Sequence, residues 1–163
     1  MERVILVRYG EIHLKGLNRP FFERKLLEQI KKSLSGLETC EVVKAPGRFF
    51  VKGYKAEDED EIIHRMTRIF GIHSVSPALE MEKDVGIIQK QAVEMLIDNR
   101  MEQGTFKVDT RRSDKTFPLN SMELSRNIGG YILEKMPGLR VDVHHPDWRV
   151  NVEIREMAYV YVR

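Results

Sequence analysis

Cysteine is almost absent from this chain of 163 residues, since Cys40 is its only one. A single cysteine excludes an internal disulfide, and it excludes metal or iron–sulfur sites that need several thiolates. It also fits a reducing compartment. Long apolar runs are absent as well, and none approaches the roughly 20 residues that a membrane-spanning helix needs. The N-terminal apolar tetrad is too short for the core of a signal peptide, so we expect a cytoplasmic protein.

The sequence has little excess of either charge, with 27 Lys and Arg against 25 Asp and Glu and a net charge of +2. This balance alone indicates no nucleic-acid partner, because what matters is whether the cations cluster on one face. Hydrophobic residues make up 42% of the chain and charged residues 32%, with no low-complexity tract, which is typical of a soluble globular protein. The length suits one ordinary domain or two small ones.

The first part of the chain predicts a strand followed by an amphipathic helix. A strand over 3–7 precedes the helix, for which Asn18 is the candidate N-cap. Apolar residues recur at every fourth position of this helix and predict one buried stripe, with Glu23 and the lysines left to solvent. The stripe comprises Phe22, Leu26, Ile30 and Leu34.

Two strands around the turn 45–47 come next. The acidic run 57–61 favours the start of a second helix, because anionic side chains stabilise the positive end of the helix dipole. The residues predicted to face inward from this helix are Ile62, Met66, Ile69 and Phe70. An extended segment over 73–81 completes the order βαββαβ, which is typical of a ferredoxin-like domain.

The rest of the chain predicts an α/β module. Residues 106–111 alternate apolar and polar side chains, which is the period of a half-buried strand. The other predicted elements are helices over 87–101 and 121–136 and strands over 141–144, 150–154 and 159–162. We expect these strands to pair in a mixed sheet.

Positive charge collects in DTRRSDKTFPLNSMEL, the stretch over residues 109–124. Arg111, Arg112 and Lys115 lie there between the alternating strand and the next helix. Two interpretations are open: a binding site for an anion, or a solvated loop in which the two aspartates of the stretch offset the cations.

The helix that follows has a well-defined start. Asn120 as N-cap and Glu123 three residues later form a capping-box pattern. Leu119 and Leu124 occupy the positions of a hydrophobic staple. A free helix N-terminus binds anions readily, but here Asn120 engages the backbone donors itself. An anion would therefore meet mainly the side chains of the three cations, with Arg126 one turn into the helix.

Two other stretches resemble functional motifs only in part. Gly10 and Gly16 lack the spacing and the following Lys-Ser or Lys-Thr of a phosphate-binding loop. Lys15 and Arg19 remain weaker candidates for contact with an anion. The adjacent histidines of the string HHPDW point to opposite faces of a strand, which disfavours a shared metal ion. Its Trp148 is better explained by packing than by stacking on a base.

No arrangement of a nucleophile and its base appears in the sequence. Cys40 has no persuasive histidine partner, and it fits the start of a strand as a small hydrophobe. The residues alone therefore indicate a binding surface without a catalytic centre.

Longer strings of the sequence resemble one enzyme family. ILVRYGEIHLKGLNRPFFERKL is similar to the N-terminal segment of the bacterial and archaeal tRNA 4-thiouridine synthetases, the tRNA sulfurtransferases. FKVDTRRSDKTFPLNSMELSRNIGGYI and VDVHHPDWRVNVEIRE are similar to the THUMP domain of the same enzymes. The resemblance covers essentially all 163 residues. It implies a ferredoxin-like domain over 1–76 and an α/β THUMP domain with a mixed sheet over 77–163, with a start near residue 60 as an alternative.

In this family, the two domains hold tRNA by its acceptor region and 3′ end and present uridine 8 to a separate catalytic domain. That domain uses ATP and magnesium to adenylate the uracil oxygen, which sulfur from a persulfide then replaces. The resemblance therefore implies that this chain binds tRNA and holds no cofactor itself. The tRNA-facing residues that it implies are Arg111 and Arg112, with Lys115, Asn120, Ser121 and Arg126 as weaker additions.

The resemblance does not extend to the catalytic parts of the family. The ATP loop Ser-Gly-Gly-x-Asp-Ser does not occur in the sequence, and the family's catalytic cysteines have no counterpart, since Cys40 lies in a strand of the first domain. We therefore expect the tRNA-binding front part of a sulfurtransferase, from a family that also serves thiamine synthesis. Two alternatives stay open: a stand-alone THUMP adaptor that delivers RNA to another enzyme, and a ferredoxin-like regulatory or dimerisation module without RNA. A homodimer is open in each case.

Overall fold

The computed structural model describes residues 1–10, 18–37 and 40–163 of the chain. These residues form two compact units, one over 3–77 and the other over 78–163 together with the first two residues. Each unit has a hydrophobic core of its own. Within the described ranges, no helix is both long and apolar enough to cross a membrane.

The first unit is a sheet with two helices in the order that the sequence predicts. Its elements are β1 (Glu2–Tyr9), α1 (Arg19–Ser33), β2 (Glu41–Ala45), β3 (Arg48–Lys52), a 3-10 turn (Ala56–Asp58), α2 (Glu59–Thr67) and β4 (Ile72–Met81), whose residues from Ala78 onward belong to the second unit. The strand order is β2-β3-β1-β4, and β3 is antiparallel to both β1 and β2. The ferredoxin-like order βαββαβ is therefore confirmed.

The core of the first unit forms along the helical stripe that the sequence predicts. Leu26, Ile30 and Leu34 are buried along α1, and Phe22 packs against the same core. Burial of such a side chain stabilises a fold by about 1.5–3 kcal/mol. Asn18 occupies the N-cap position of α1, but its side chain makes no capping hydrogen bond. Packing of the stripe, rather than this cap, therefore holds the helix in place.

Glu23 contradicts the prediction that it faces solvent, because it is only 7% exposed. Its carboxylate accepts a hydrogen bond from the Tyr9 hydroxyl at 3.0 Å. Arg19 Nε and Lys44 Nζ each lie 3.2 Å from the carboxylate. Burial alone would raise the pKa of Glu23, but the bonds from Tyr9 and Lys44 and the charge of Arg19 hold it below its usual range.

The prediction for Phe70 is also wrong. The sequence predicts that this side chain faces inward, but it is 84% exposed. α2 ends at Thr67, before the apolar pattern does. Ile62 and Met66 are fully buried on the inner side of the helix. Phe70 lies beyond the helix end and therefore outside the register that buries these two residues.

The second unit is an α/β sheet of mixed direction. Beyond the end of β4, its elements are α3 (Val85–Asp98), β5 (Gly104–Arg112), α4 (Ser121–Lys135), β6 (Leu139–Val141), β7 (Trp148–Ile154) and β8 (Ala158–Val162). The strand order is β4-β8-β7-β5-β6, in which β5 is parallel to β6 and β7. β8 is antiparallel to β4 and β7. The predicted mixed pairing is therefore confirmed.

Both helices of the second unit contribute to the core that covers one face of its sheet. Ile88 of α3 and Ile128 of α4 are fully buried in one cluster with Phe106 of β5 and Val152 of β7. Because side chains alternate along a strand, the even-numbered residues of β5 and β7 face these helices. The odd-numbered residues lie on the opposite face, which is polar.

The strand predicted over 141–144 lies earlier in the structure, where β6 covers Leu139–Val141 and shares only Val141 with the prediction. The carboxylate of Asp142 accepts the backbone N–H groups of His144 and His145, each at 3.0 Å. This turn ends the strand, because an aspartate side chain that binds nearby backbone donors stabilises a turn rather than an extended chain.

Gly130 offers a test of this packing. It lies on the exposed side of α4, and a Cβ added there would have no heavy atom within 4 Å. Glycine inside a helix costs about 1 kcal/mol relative to alanine. We therefore expect Gly130→Ala to raise the free energy of unfolding by about 0.5–1 kcal/mol in urea denaturation.

Gly138→Ala is the comparison variant. A Cβ at Gly138 would lie 2.5 Å from the carbonyl oxygen of Glu102, so this substitution should lower the free energy of unfolding. Equal effects of the two substitutions would contradict the packing around α4 and β6.

Candidate nucleic-acid interface

The cations of the TRRSDK string begin inside a strand rather than in a loop. β5 extends to Arg112, and its parallel ladder with β7 pairs Arg111 with Glu153 and Arg112 with Ile154. Because side chains alternate along a strand, the two arginines project from opposite faces of the sheet. The structure therefore separates two residues that the sequence groups together.

Arg112 projects toward the side of the sheet on which α4 packs. On that side, the Ser125 hydroxyl donates a hydrogen bond to Thr110 Oγ1 at 2.8 Å and joins α4 to β5. Arg112 Nη1 donates to the carbonyl oxygen of Phe117 at 2.9 Å and to that of Lys115 at 3.5 Å. The guanidinium is thus engaged with the backbone of the loop that follows β5.

Arg111 projects from the polar face, where the carboxylate of Asp109 is shared by two cations. Lys107 Nζ lies 3.2 Å from Asp109 Oδ1, and Arg149 Nη1 lies 3.4 Å from Asp109 Oδ2. Glu153, the cross-strand neighbour of Arg111, is 2% exposed and bonds to residues of its own hairpin. The Arg111 side chain is exposed and has no ion pair with a described residue.

Residues 113–118 form a loop that is attached on both sides of Lys115. At its start, the backbone N–H and the hydroxyl of Ser113 donate to the Ile154 carbonyl oxygen at 2.9 and 3.2 Å. Near its end, the Phe117 ring is buried in the core of the second unit. Lys115 itself is exposed between these two attachments.

Asp114 fixes the middle of this loop. Its Oδ1 accepts the backbone N–H of Thr116 at 2.9 Å and also the Thr116 hydroxyl. Lys83 Nζ lies 2.7 Å from its Oδ2. The Lys83 ammonium, followed by the Thr116 donors, holds the pKa of Asp114 far below its usual range. Sequence reasoning misses Lys83, because it precedes α3 and only the fold brings it to the loop.

α4 begins with the capping box that the sequence predicts. Asn120 Oδ1 accepts the backbone N–H of Glu123 at 2.8 Å, and Glu123 Oε1 accepts that of Asn120 at 3.2 Å. Leu124 is fully buried, and Leu119 packs against the same core. Ser121 is half-buried at the first helical position. Two backbone donors of the helix start, those of Asn120 and Glu123, are therefore satisfied by side chains and are not available to an anion.

Three exposed cations flank the connection from β5 to α4 along the chain: Arg111 at the end of β5, Lys115 in the loop and Arg126 in α4. We term this set the cationic junction. No side chain of the set forms an ion pair with any residue in the described part of the chain. The two aspartates of the stretch do not offset it, because each is already paired with other cations. The junction therefore keeps an excess of positive charge.

The two weaker candidates belong to the N-terminal region. Arg19 lies at the start of α1 and is paired with the buried carboxylate of Glu23. Arg19 therefore has a structural role, and its contact with an anion stays a prediction. Lys15 lies outside the described residues.

The HHPDW string ends in a packed junction between β5 and β7. Asp147 accepts the backbone N–H and the hydroxyl of Thr105 at 2.9 and 3.2 Å. Trp148 Nε1 donates to the carbonyl oxygen of Gln103 at 2.8 Å, and the ring packs against the core. The packing interpretation of Trp148 is therefore confirmed.

Most of the chain matches two domain families. Residues 4–76 match the model of the ThiI ferredoxin-like domain, and residues 82–163 match that of the THUMP domain. The chain is 45% identical over 164 residues to the probable tRNA sulfurtransferase of Acetivibrio thermocellus, which covers 99% of the chain and 42% of that protein. The chain thus spans about two fifths of the length of this relative.

Two solved structures are similar over nearly the whole chain. The crystal structure of PH1313 from Pyrococcus horikoshii Ot3 has a TM-score of 0.86 and 33% identity, over 99% of this chain and 54% of that one. The crystal structure of a 4-thiouridine synthetase–RNA complex with bound ATP has a TM-score of 0.82 and 27% identity, over 100% of this chain and 41% of that one. These proteins therefore share the fold of both units.

The capping box at the start of α4 yields a stability prediction. Asn120→Ala removes the acceptor for the Glu123 N–H and should lower the free energy of unfolding by about 1 kcal/mol. Asn120→Ser keeps a capping oxygen and should lose much less, because serine is a comparable N-cap residue. Urea denaturation followed by circular dichroism measures both variants, and an equal loss in the two would contradict the capping role.

Proposed function

The chain belongs to the tRNA sulfurtransferase family, whose ferredoxin-like and THUMP domains it comprises, and we propose that it is the tRNA-binding portion of such an enzyme. It holds the acceptor stem and the 3′ end so that uridine 8 reaches a catalytic domain that these 163 residues do not contain. The RNA complex of a 4-thiouridine synthetase with the same fold supports this choice of ligand.

The cationic junction is the observation that carries the proposal. Arg111, Lys115 and Arg126 are exposed, and the carboxylates beside them are already paired with other cations. Exposed cations that have no carboxylate partner attract phosphates. Neutralising a phosphate releases its counterions, and this release drives binding. Such cations therefore favour a polyanionic ligand.

RNA contact at this place would come from side chains. Because the capping box occupies the backbone N–H groups of Asn120 and Glu123, the end of α4 has fewer donors to offer a phosphate. The planar guanidinium of arginine suits bidentate phosphate contacts, and lysine acts as a point charge. Proteins recognise RNA mainly by the shape of helical regions and by single-stranded ends. An acceptor stem with its unpaired 3′ end supplies both features.

The residues of this chain do not fit an ATP site. The sequence has no Ser-Gly-Gly-x-Asp-Ser loop, and the adjacent Gly129 and Gly130 lie inside α4 rather than in a loop. In this proposal, ATP, magnesium and the persulfide sulfur donor serve the catalytic domain. The present residues contribute binding alone. A cytoplasmic location, a homodimer and a share in thiamine synthesis are further proposals, of which only the last comes from the family resemblance.

The surroundings of Cys40 indicate a role in packing rather than in sulfur chemistry. It is partly buried and packs against the core of the first unit. Burial, followed by the charge of Asp58, raises the pKa of its thiol. A raised pKa keeps the thiol protonated at neutral pH, and the protonated form is a poor nucleophile.

Charge reversal at the junction tests the proposal. Replacing Arg111 and Lys115 together by glutamate should weaken binding to an acceptor-stem minihelix with a single-stranded 3′ end by about a hundredfold or more, because attraction to phosphate becomes repulsion. The neutral variant Arg126→Gln should reduce the slope of log Kd against log salt by about 0.7–0.9 if it removes one phosphate contact. Fluorescence anisotropy at several salt concentrations measures both effects.

The matched control is the double variant Lys31→Glu/Lys32→Glu, which makes the same change in net charge. Both lysines are exposed in the last turn of α1, so binding should stay near the wild-type value. Equal losses in the two double variants would mean that net charge, not the junction, drives binding. Unchanged binding of the Arg111/Lys115 variant would exclude the junction as the tRNA surface.

A further inference from the structure

We propose that Arg112 and Asp114 are positioning residues, which hold the 113–118 loop in the form that presents Lys115 to RNA and do not touch RNA themselves. This inference rests on the proposed tRNA-binding function. It gives a supporting role to an aspartate whose charge is opposite to that of the RNA-binding cations.

The first support is the direction of the Arg112 guanidinium. Its Nη1 donates to the carbonyl oxygens of Lys115 and Phe117, which lie on either side of Thr116. The side chain is half-buried against the loop. Arg112 Nη1 is therefore engaged by the protein backbone, whereas the side chain of the exposed Arg111 on the other face of the sheet makes no such bond with a described residue.

The second support is the set of bonds around Asp114. Its carboxylate accepts two hydrogen bonds from Thr116, which closes a small turn around Lys115. Its other oxygen is paired with Lys83 at 2.7 Å. The peptide group between Lys115 and Thr116 is thus held at its N–H by Asp114 and at its carbonyl oxygen by Arg112, while the Lys115 side chain remains exposed.

These anchors affect RNA binding through the order of the loop. A loop that is already fixed in the free protein does not have to be ordered when RNA binds, and this preorganisation raises affinity. Asp114 also carries a charge that repels phosphate. The ammonium of Lys83 lies directly against that charge, so the repulsion is largely cancelled. The positioning effect of Asp114 should therefore exceed its electrostatic effect.

The decisive variant is Asp114→Ala, because the two effects have opposite signs. Removal of a carboxylate from a phosphate-binding surface should tighten RNA binding if charge alone matters. If Asp114 positions the loop, binding to the acceptor-stem minihelix should instead weaken by about five- to tenfold. Asp114→Asn should lie between wild type and Asp114→Ala, since its amide oxygen can still accept from Thr116.

A second readout does not involve RNA. Hydrogen exchange of the backbone amides of residues 113–117 in the free chain should be faster in Asp114→Ala than in wild type, while the amides of α4 remain protected. Thermal unfolding followed by circular dichroism verifies that the variant is folded. Unchanged exchange in this loop would overturn the positioning role of Asp114.

Arg112→Lys provides the corresponding test for Arg112. Lysine keeps the charge but loses the planar group that reaches two carbonyl oxygens. We expect Arg112→Lys and Arg112→Gln to lose a similar amount of affinity. In both variants, the slope of log Kd against log salt should stay as in wild type. Wild-type affinity of Arg112→Lys, together with a reduced slope for Arg112→Gln, would instead identify Arg112 as a phosphate contact.

Glu82→Ala is the control for charge. Glu82 is exposed beside Lys83, and its side chain forms no hydrogen bond or ion pair with the described residues, so its removal should leave binding unchanged or slightly tighter. If the wild-type chain binds the minihelix and Asp114→Ala binds it equally well or more tightly, this inference is overturned and the proposed function is not. A wild-type chain that does not bind the minihelix at low salt would overturn the proposed function and with it the role of the loop in RNA binding.

Discussion

The parallel ladder between β5 and β7 sets the position of the cationic junction. It pairs the residues from Phe106 to Arg112 with those of β7 and ends where Arg112 meets Ile154. Just beyond this point, the Ile154 carbonyl oxygen accepts the donors of Ser113 and starts the 113–118 loop. A shift of one residue along β5 would exchange Arg111 and Arg112 between the faces of the sheet, because the side-chain period of a strand is two. The register therefore decides which arginine reaches solvent and which holds the loop.

The charged residues around the cationic junction differ in whether they are paired. Asp109 is paired with Lys107 and Arg149 on the polar face of the sheet. Asp114 is paired with Lys83, which precedes α3. Their presence in the sequence therefore does not reduce the charge of Arg111 and Lys115. A net charge of +2 for the chain is thus compatible with a locally positive surface, since local potential depends on which charges are paired.

The order of elements, the mixed sheet and the capping box could be predicted from the sequence, because each follows from neighbours in the chain or from a regular period. The prediction failed at Glu23 of α1, whose partners Tyr9 and Lys44 come from the strands β1 and β2. It also failed at Phe70, because the helical period does not state where a helix ends. At the candidate site, the cations were visible in the sequence, but the separation of Arg111 from Arg112 required the extent of β5.

The attachment of the 113–118 loop also has a consequence for the order of events during synthesis. Ser113 bonds to a carbonyl group that lies 41 positions further along the chain. Contacts between distant residues in parallel strands form slowly, because the intervening chain must be ordered first. A nascent chain that already exposes Arg111 and Lys115 cannot fix the loop until β7 has left the ribosome. Under the proposed function, unfinished chains should therefore bind tRNA less tightly than completed ones.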